Sequence, residues 1–279
     1  MSVATTDAGP SAPAAGSPAP VTGPAAERSW WARLPREDRG MLIAPPVLAA
    51  LILGGYALWR GTADLDTTEQ RQLRWSTVRA QFLEHLQLTV VASLLVVLVA
   101  VPLGVLLTRG RLRRLAPGVV AVANIGQAAP SLGLLVLLYI WLNDAGWTGF
   151  GVAVLTLTLY GLLPVLRNTI TGLRGVDPTL VEAGRGIGMS AFSVLVRIEL
   201  PLAIPVIMTG LRTALVLVVG TAALATFIDG GGLGGIINSG ISLFRFEVMV
   251  AGALLVAALA LAVEWVGRVL EVLVRPRGL

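Results

Sequence analysis

The sequence predicts an all-α membrane protein with six transmembrane helices. Of its 279 residues, 55% are hydrophobic and 13% are charged, about half the charged fraction of a soluble globular domain. Stretches long enough to span a membrane recur along the chain, and most of the arginines lie at their ends. A membrane explains this placement of basic residues better than nucleic-acid binding does, and it argues against a soluble enzyme.

Composition also limits the chemistry that the chain can perform. All 21 basic residues are arginines, cysteine is absent, and His85 is the only histidine. A chain without lysine cannot form a complete Walker A site for ATP, and a chain without cysteine has no thiol nucleophile or cysteine-bound metal. Since clustered acids are also absent, we expect no catalytic residues, no metal site and no bound cofactor.

Six stretches with almost no charge define the predicted transmembrane helices. They are residues 41–59, 86–108, 115–143, 145–166, 200–228 (interrupted only by Arg212) and 248–263. Residues 1–40 are rich in Ala and Pro and predict a disordered cytoplasmic tail. The first basic residue is Arg28, so this tail lacks the basic start of a secretory signal and should stay attached.

The arginines predict the orientation of these helices. With both termini in the cytoplasm, fifteen arginines lie inside and five outside, as the positive-inside rule favours. In the outer loop before the second span, residues 69–85 interleave apolar and charged side chains at near-helical spacing. They predict an amphipathic helix on the outer surface.

The cytoplasmic segment 167–199 is the only sizeable polar loop between spans, and it carries signals for a short helix. Asp177 can cap this helix, Pro178 suits its first position, and a cluster of glycines from Gly184 to Gly188 can end it. The segment is therefore either a docking surface for another protein or a merely connecting loop.

Seven residues in this segment and directly after it form one spaced pattern: Glu182, Ala183, Gly184, Gly188, Ile198, Leu200 and Pro201. The pattern resembles the EAA loop of the membrane subunits of bacterial ABC importers, E-A-A-x3-G-x9-I-x-L-P. The spacing fits at every position, and Gly184 replaces the third residue, alanine. Glycine is also small, so close packing survives, although helix propensity falls by about 1 kcal/mol.

Other motifs between residues 80 and 270 are His85-Leu86, Pro102-Leu103-Gly104, Asn124-Ile125-Gly126-Gln127 with Pro130-Ser131, Leu163-Pro164 with Arg167-Asn168-Thr169, and Gly231-Gly232-Leu233-Gly234. Together they resemble the glycine betaine, carnitine and choline permease subfamily. The resemblance implies a five-helix, MetI-like ABC permease core over residues 86–267, which includes the EAA loop 167–199. The first helix, 41–59, would then be accessory, with an outer loop at 60–85 and a cytoplasmic tail at 268–279.

The resemblance also implies a mechanism and partners. In this family the EAA helix contacts a separate ATPase subunit, which binds the ATP and Mg, and it transmits nucleotide-driven closure to the spans. The other implied partners are an extracytoplasmic substrate-binding protein, a second permease, identical or related, and the lipid bilayer of the bacterial plasma membrane, but no nucleic acid. The coupling residues would be Asp177, Glu182, Ala183, Gly184, Gly188 and Pro201. Glu182 would make the polar contact, and the alternative for it is a solvated helix charge.

Polar and helix-breaking residues interrupt the third span at Asn124, Gln127, Pro130 and Ser131. Such residues are tolerated in a membrane where they line a cavity or are packed by protein. Asn124 and Gln127 are three apart and share a helix face. We expect these residues on the translocation path, and the alternative is that they form hydrogen bonds that hold the bundle together.

Two charged residues lie in or at the end of the fifth span. Arg212 would cost about 2.5 to 3.5 kcal/mol at the bilayer centre, so it should face protein or the translocation path, or else snorkel to the cytoplasm. Asp229 is an outer gate on the path or an interfacial cap.

Glycines follow Asp229, and Gly230, Gly232 and Gly235 have the spacing G-x-G-x-x-G. A dinucleotide site also needs a βαβ unit, which is missing here, so we reject that interpretation. Residues 230–243 instead predict a flexible or re-entrant outer segment. His85, at the start of a span, predicts an interfacial anchor.

The predicted function is import of osmoprotectants such as glycine betaine, choline or carnitine, and it depends on the resemblance. Quaternary amines are usually bound in aromatic cages, and no cage can be assembled from the 16 aromatic residues of the sequence. This fits a system in which a separate binding protein selects the substrate. The alternatives are a permease of the same fold for another solute, and a stand-alone secondary transporter or channel, which predicts internal repeats and carboxylates within the spans.

Overall fold

A computed structural model describes residues 36–274 of the chain. The chain divides into two compact units, Met1–Arg39 and Gly40–Leu279, and the contacts reported below lie within the second. The predicted disordered tail falls largely on residues 1–35, and the end of the predicted C-terminal tail on 275–279. Both lie outside the described residues.

The described residues are mostly helical and form no strand, which confirms the predicted all-α class. The helices are α1 (Arg36–Thr62), α2 (Thr67–Gln72), α3 (Trp75–Leu106), α4 (Ala116–Ala128), α5 (Ser131–Asn143), α6 (Gly149–Arg174), α7 (Pro178–Gly186), α8 (Ala191–Val194), α9 (Leu200–Ala222), α10 (Gly234–Ser242) and α11 (Phe246–Val274). Short 3-10 helices occupy Gly110–Arg114 and Ala223–Ile228, and a π-helical turn, Leu195–Glu199, joins α8 to α9.

Five stretches are long and apolar enough to cross a membrane, or six if α4 and α5 together make one crossing. The predicted third span is broken at its helix-breaking residues, because α4 and α5 meet at an angle of 97°. Pro130 lies at the break, and Ala129 before it adopts extended backbone angles, φ −65° and ψ 144°. A residue that precedes proline is sterically disfavoured in the helical region, which explains the bend.

Several helices extend beyond the predicted spans. Helix α3, the second predicted span, begins at Trp75 instead of near Leu86. Most of the predicted amphipathic helix therefore forms the first turns of α3. The short helix α2 precedes it, with Asp66 and Glu69 forming a reciprocal capping box. The last helix continues to Val274, well past the predicted end of its span.

Helix α6 lies at the centre of the bundle, where it packs against α3, α4, α5 and α9. Of its most apolar stretch 61% is buried, against 17% for α1, which is therefore the peripheral helix. Gly161 permits the close approach of α6 to its neighbours, because a Cβ there would lie 2.8 Å from Val96 Cγ2 of α3 and 3.1 Å from Val218 Cγ2 of α9. This close packing holds the ends of α3 and α9 next to the EAA segment, residues 167–199.

Candidate coupling segment and translocation helices

The EAA segment folds as its sequence predicts, into a capped helix followed by a glycine turn. The Thr179 backbone N–H donates to Asp177 Oδ1 at 2.8 Å, and Pro178 occupies the first turn of α7. This hydrogen bond holds the pKa of the Asp177 carboxyl below its usual value. At the other end, Gly188 adopts a φ of +86°, which glycine reaches without strain.

Gly184 is the residue through which α7 packs on the rest of the segment. It is buried, and a Cβ added there would lie 2.6 Å from Ile198 Cδ1 and 3.5 Å from Val194 Cγ2. Its carbonyl accepts a hydrogen bond from the Met189 N–H at 3.1 Å. The departure from the family pattern therefore coincides with a contact that leaves no room for a methyl group unless Ile198 moves.

An apolar surface faces outward from this segment, which we call the coupling surface: Leu180, Ala183, Ile187 and Phe192. Ile187 is 81% exposed and Phe192 is 74% exposed, and neither is part of the EAA pattern. Glu182 is exposed beside them and forms no ion pair with any described residue. Large apolar side chains this exposed, grouped on one short segment, mark an interaction surface.

An ion pair that no sequence pattern predicted connects the end of this segment to the turn that follows α3. Glu199 is buried in the π-helical turn, and its two carboxylate oxygens accept from both terminal nitrogens of Arg109, one of them at 3.0 Å. Pro201 follows in the first turn of α9. A bidentate arginine–carboxylate pair is geometrically specific, so it fixes α9 relative to the end of α3.

Gln127 is bonded to the neighbouring helix. Pro164 in α6 lacks an N–H, so the Tyr160 carbonyl one turn earlier loses its helical partner. The Gln127 side-chain nitrogen donates to that carbonyl at 3.3 Å. The Tyr160 hydroxyl in turn donates to the Ala129 carbonyl at the bend between α4 and α5. These contacts connect Gln127 to α6 by a hydrogen bond, and whether it also lines the path stays a prediction.

The other polar residues of the third span do not share this network. Asn124 is half-buried in α4 and makes no hydrogen bond to a described residue. Pro130 is exposed at the start of α5, next to the half-buried Ser131. Whether these three residues line the path stays a prediction.

Arg212 pairs with Glu271 of α11, whose Oε2 lies 3.2 Å from Arg212 Nε in an ion pair without good hydrogen-bond alignment. Both side chains are about one-fifth exposed. Arg212 also borders an open groove of about 400 Å³ that exposes Thr209, Thr213 and Glu264. Arg212 thus faces protein on one side and a groove of mixed polar and apolar lining on the other, and the carboxylate of Glu271 offsets the cost of its charge.

The glycine-rich segment after α9 is tightly packed, which contradicts the flexible alternative for residues 230–243, and the re-entrant alternative stays a prediction. Asp229 is exposed in a left-handed turn, φ 58°, at the end of the 3-10 helix. A Cβ at Gly234 would lie 1.8 Å from the Ala223 carbonyl oxygen, and one at Gly149 would lie 2.0 Å from that of Ile228. In this segment the glycines with G-x-G-x-x-G spacing permit close packing of the backbone.

His85 is fully buried against this segment, so the prediction of an interfacial anchor is also wrong. Its Nδ1 accepts from the Leu233 N–H at 3.3 Å, and its Nε2 lies 3.0 Å from the Val219 carbonyl oxygen. The neutral tautomer with a proton on Nε2 satisfies both contacts. Next to it, Glu84 Oε2 accepts from the Gly232 N–H at 2.9 Å, so α3 holds the glycine segment at two points.

No group of three or more His, Cys, Asp or Glu side chains converges on a possible metal site within residues 36–274. Chemically, the described arrangement provides an exposed apolar surface on a rigidly connected segment at one end of a helical bundle. It can receive another protein and transmit movement to α3 and α9.

Comparison with known proteins places this arrangement in a family. The family described as "Binding-protein-dependent transport system inner membrane component" matches residues 100–276. The chain is 43% identical over 196 residues to the glycine betaine/carnitine/choline transport system permease protein OpuCB of Bacillus subtilis, covering 70% of this chain and 88% of that protein. It is 40% identical over 198 residues to the osmoprotectant import permease protein OsmW of Salmonella typhimurium, covering 70% and 91%.

A solved structure of the MetNI methionine ABC transporter in an inward-facing conformation shares the fold. The TM-score is 0.64 and the identity is 25%, and the match covers 73% of this chain and 98% of that chain. This match confirms the MetI-like fold that the sequence predicts.

Proposed function

Because the chain belongs to the family of binding-protein-dependent transport system inner membrane components, we propose that it is the permease subunit of an ATP-driven importer of osmoprotectants. Its curated relatives carry the names of glycine betaine, carnitine and choline permeases and of an osmoprotectant import permease. The substrate class proposed here is therefore a small quaternary amine.

The coupling surface is the observation that carries this proposal. A separate cytoplasmic ATPase subunit, which binds the ATP and Mg, receives Ile187 and Phe192 in an apolar cleft and meets Glu182 at its edge. Burial of these side chains favours the docked state, since each Å² of apolar surface removed from water contributes roughly 25 cal/mol.

Two contacts transmit movement of the docked helix α7 into the bundle. The Gly184–Ile198 contact carries it into the π-helical turn before α9, and the Glu199–Arg109 ion pair carries it into α3. Because α3 and α9 both pack on α6, a displacement of the segment repacks three spans together. The chain itself contributes no hydrolytic chemistry to this cycle.

The proposed setting is the bacterial plasma membrane, with the EAA segment and both termini in the cytoplasm. An extracytoplasmic binding protein delivers the substrate to the opposite end of the bundle. A second permease, identical or related, completes the path, for which Asn124, Ser131, the Arg212 groove and Asp229 are the candidate lining residues on this chain.

Uptake into proteoliposomes tests this function. The chain is reconstituted with its ATPase and binding protein, and ATP-driven uptake of radiolabelled glycine betaine is measured with unlabelled choline, carnitine and methionine as competitors. We expect uptake that stops when the ATPase is omitted, that falls in Glu182→Ala, and that quaternary amines inhibit and methionine does not.

Each contrary result has a defined meaning. Uptake by the chain alone would contradict an importer and favour a secondary transporter or channel. A complex that hydrolyses ATP and imports methionine, but no quaternary amine, would reject the substrate class and retain the permease fold for another solute.

A further inference from the structure

An arginine pocket lies at the end of the bundle remote from the EAA segment. It is a cavity of about 460 Å³ between the last turn of α1, the helix α2 and the start of α3. Arg60, Arg71 and Arg74 line it together with Gln70 and Thr67, and no carboxylate is among the lining residues. Since α3 rises about 48 Å over its length and its far end pairs with Glu199, the pocket lies across the membrane from the coupling surface.

The acidic side chains nearby do not neutralise these arginines. Asp66 Oδ1 accepts from the backbone N–H groups of Glu69 and Thr68, both at 2.8 Å, and its Oδ2 lies 2.5 Å from Arg245 Nη2. Glu69 also faces Arg245, at 3.7 Å. Asp64 is exposed and pairs with none of the described residues. The pocket therefore keeps an excess of positive charge.

Arg60 is held in place for binding an anion. Its Nε donates to the Leu73 carbonyl at 2.6 Å, and its guanidinium carbon lies 6.0 Å from the ring centroid of Trp75. Both contacts leave its terminal nitrogens without a partner among residues 36–274, and Arg71 and Arg74 form no ion pair there either. Guanidinium groups match the geometry of phosphate oxygens, with which they form short, charge-assisted hydrogen bonds.

A second, apolar groove of about 370 Å³ lies between α1 and α11, where Trp59 adjoins Arg60 of the pocket along the chain. Gly55, Tyr56 and Trp59 line it from α1, and the lining is apolar apart from the exposed Glu247. Tyr56, Trp59, Arg60 and Ala63 follow one another at helical spacing, so groove and pocket occupy one face of α1. The Tyr56 hydroxyl is buried without a hydrogen-bond partner in the described part of the chain.

We propose that the arginine pocket and this groove together bind one anionic phospholipid of the outer leaflet, with its phosphate among the arginines and an acyl chain against α11. Trp59 and Trp75 lie at the level where indole rings favour the membrane interface. The bound lipid fills the space between the peripheral helix α1 and the bundle, which explains why α1 contacts the bundle so little.

Native mass spectrometry of the full-length chain in detergent tests the phosphate site. The probes are dioleoyl phosphatidylglycerol, dioleoyl phosphatidylcholine and inorganic phosphate. We expect retention of phosphatidylglycerol, with weaker retention of the zwitterionic lipid and of phosphate. In Arg71→Gln/Arg74→Gln, affinity for phosphatidylglycerol falls about tenfold to thirtyfold. The matched control Arg111→Gln/Arg113→Gln, exposed arginines at the other end of α3, retains it.

Two glycines of α1 test the acyl groove. Gly55 lines the groove, Gly54 does not, and a Cβ at either position meets open space. We expect Gly55→Phe to displace phosphatidylglycerol and Gly54→Phe to leave it bound.

Four outcomes overturn the proposal. They are equal retention in both arginine variants, equal binding of both lipids, inorganic phosphate bound as tightly as the lipid, and loss of affinity for the substrate-binding protein in Arg71→Gln/Arg74→Gln with lipid retention unchanged. The last would identify the pocket as a protein contact. None of these measurements depends on transport.

Discussion

Gly184 shows how one residue adapts the family pattern to its neighbours. The EAA pattern has alanine at this position, and here the place of the missing methyl group lies 2.6 Å from Ile198 Cδ1. That atom is the flexible end of a side chain, so it can move aside at modest cost. The glycine and the isoleucine are therefore coupled through a single contact.

We predict that Gly184→Ala is close to neutral alone and stabilising when Ile198 is shortened. Alanine gains about 1 kcal/mol of helix propensity, and the displaced Ile198 offsets this gain. In Gly184→Ala/Ile198→Val the clashing methyl group is gone. Thermal unfolding of the four variants in detergent measures the coupling, and additive shifts in the unfolding midpoint would contradict the contact.

Gln127 and Asn124 share a helix face but differ in their contacts, so their substitutions should differ too. Gln127→Leu leaves the Tyr160 carbonyl without a partner, and we expect a loss of about 1–3 kcal/mol in stability. Asn124→Leu removes no described hydrogen bond, and we expect lower uptake with an unchanged unfolding midpoint. Unfolding curves and proteoliposome uptake check both variants. The reverse assignment of effects would remove Asn124 from the path.

Among elements, the junction of α3 with the π-helical turn is the one that couples the EAA segment to the bundle. Arg109→Gln leaves the Glu199 carboxylate buried without its cation, and we expect a loss of about 2 kcal/mol or more. The charge-reversed double variant Arg109→Glu/Glu199→Arg should recover part of the stability and of the ATP-driven uptake. No recovery in either measurement would show that the pair is not the connection between these elements.

The glycine segment between α9 and α10 behaves as a packed element, and this too can be tested. Gly234→Ala places a Cβ 1.8 Å from a backbone oxygen, which cannot move aside easily. We expect it to cost about 1–3 kcal/mol or more. Gly220→Ala, in α9, meets open space and serves as the control. Equal unfolding midpoints for the two variants would contradict the close packing.

Features encoded in local sequence could be predicted at this scale, and features that depend on distant partners could not. The cap at Asp177 and the turn at Gly188 follow from a few adjacent residues. The Arg109–Glu199 pair joins positions 90 apart, and His85 is buried by partners from Val219 and Leu233. Hydropathy identifies the residues of a span but does not indicate which neighbouring residues bury them.

Over the whole molecule, apolar stretches predicted six spans and the approximate limits of the bundle. Hydropathy did not predict the 97° bend in the third span, because an apolar stretch has the same hydropathy whether or not its helix is broken. Pro130 was the available signal. The family pattern located the coupling segment, yet the most exposed apolar side chains, Ile187 and Phe192, fall on its unspecified positions.

The coupling surface is the central claim, and the natural absence of cysteine makes it directly measurable. Single cysteines at Ile187 or Phe192 are labelled with a maleimide in reconstituted protein, with and without the ATPase subunit. Phe244→Cys is the control, since Phe244 is 95% exposed at the opposite end of the bundle. We predict that the ATPase suppresses labelling of Ile187→Cys and Phe192→Cys and leaves Phe244→Cys unchanged. Unchanged labelling at all three positions in an assembled, ATP-hydrolysing complex would contradict the coupling surface.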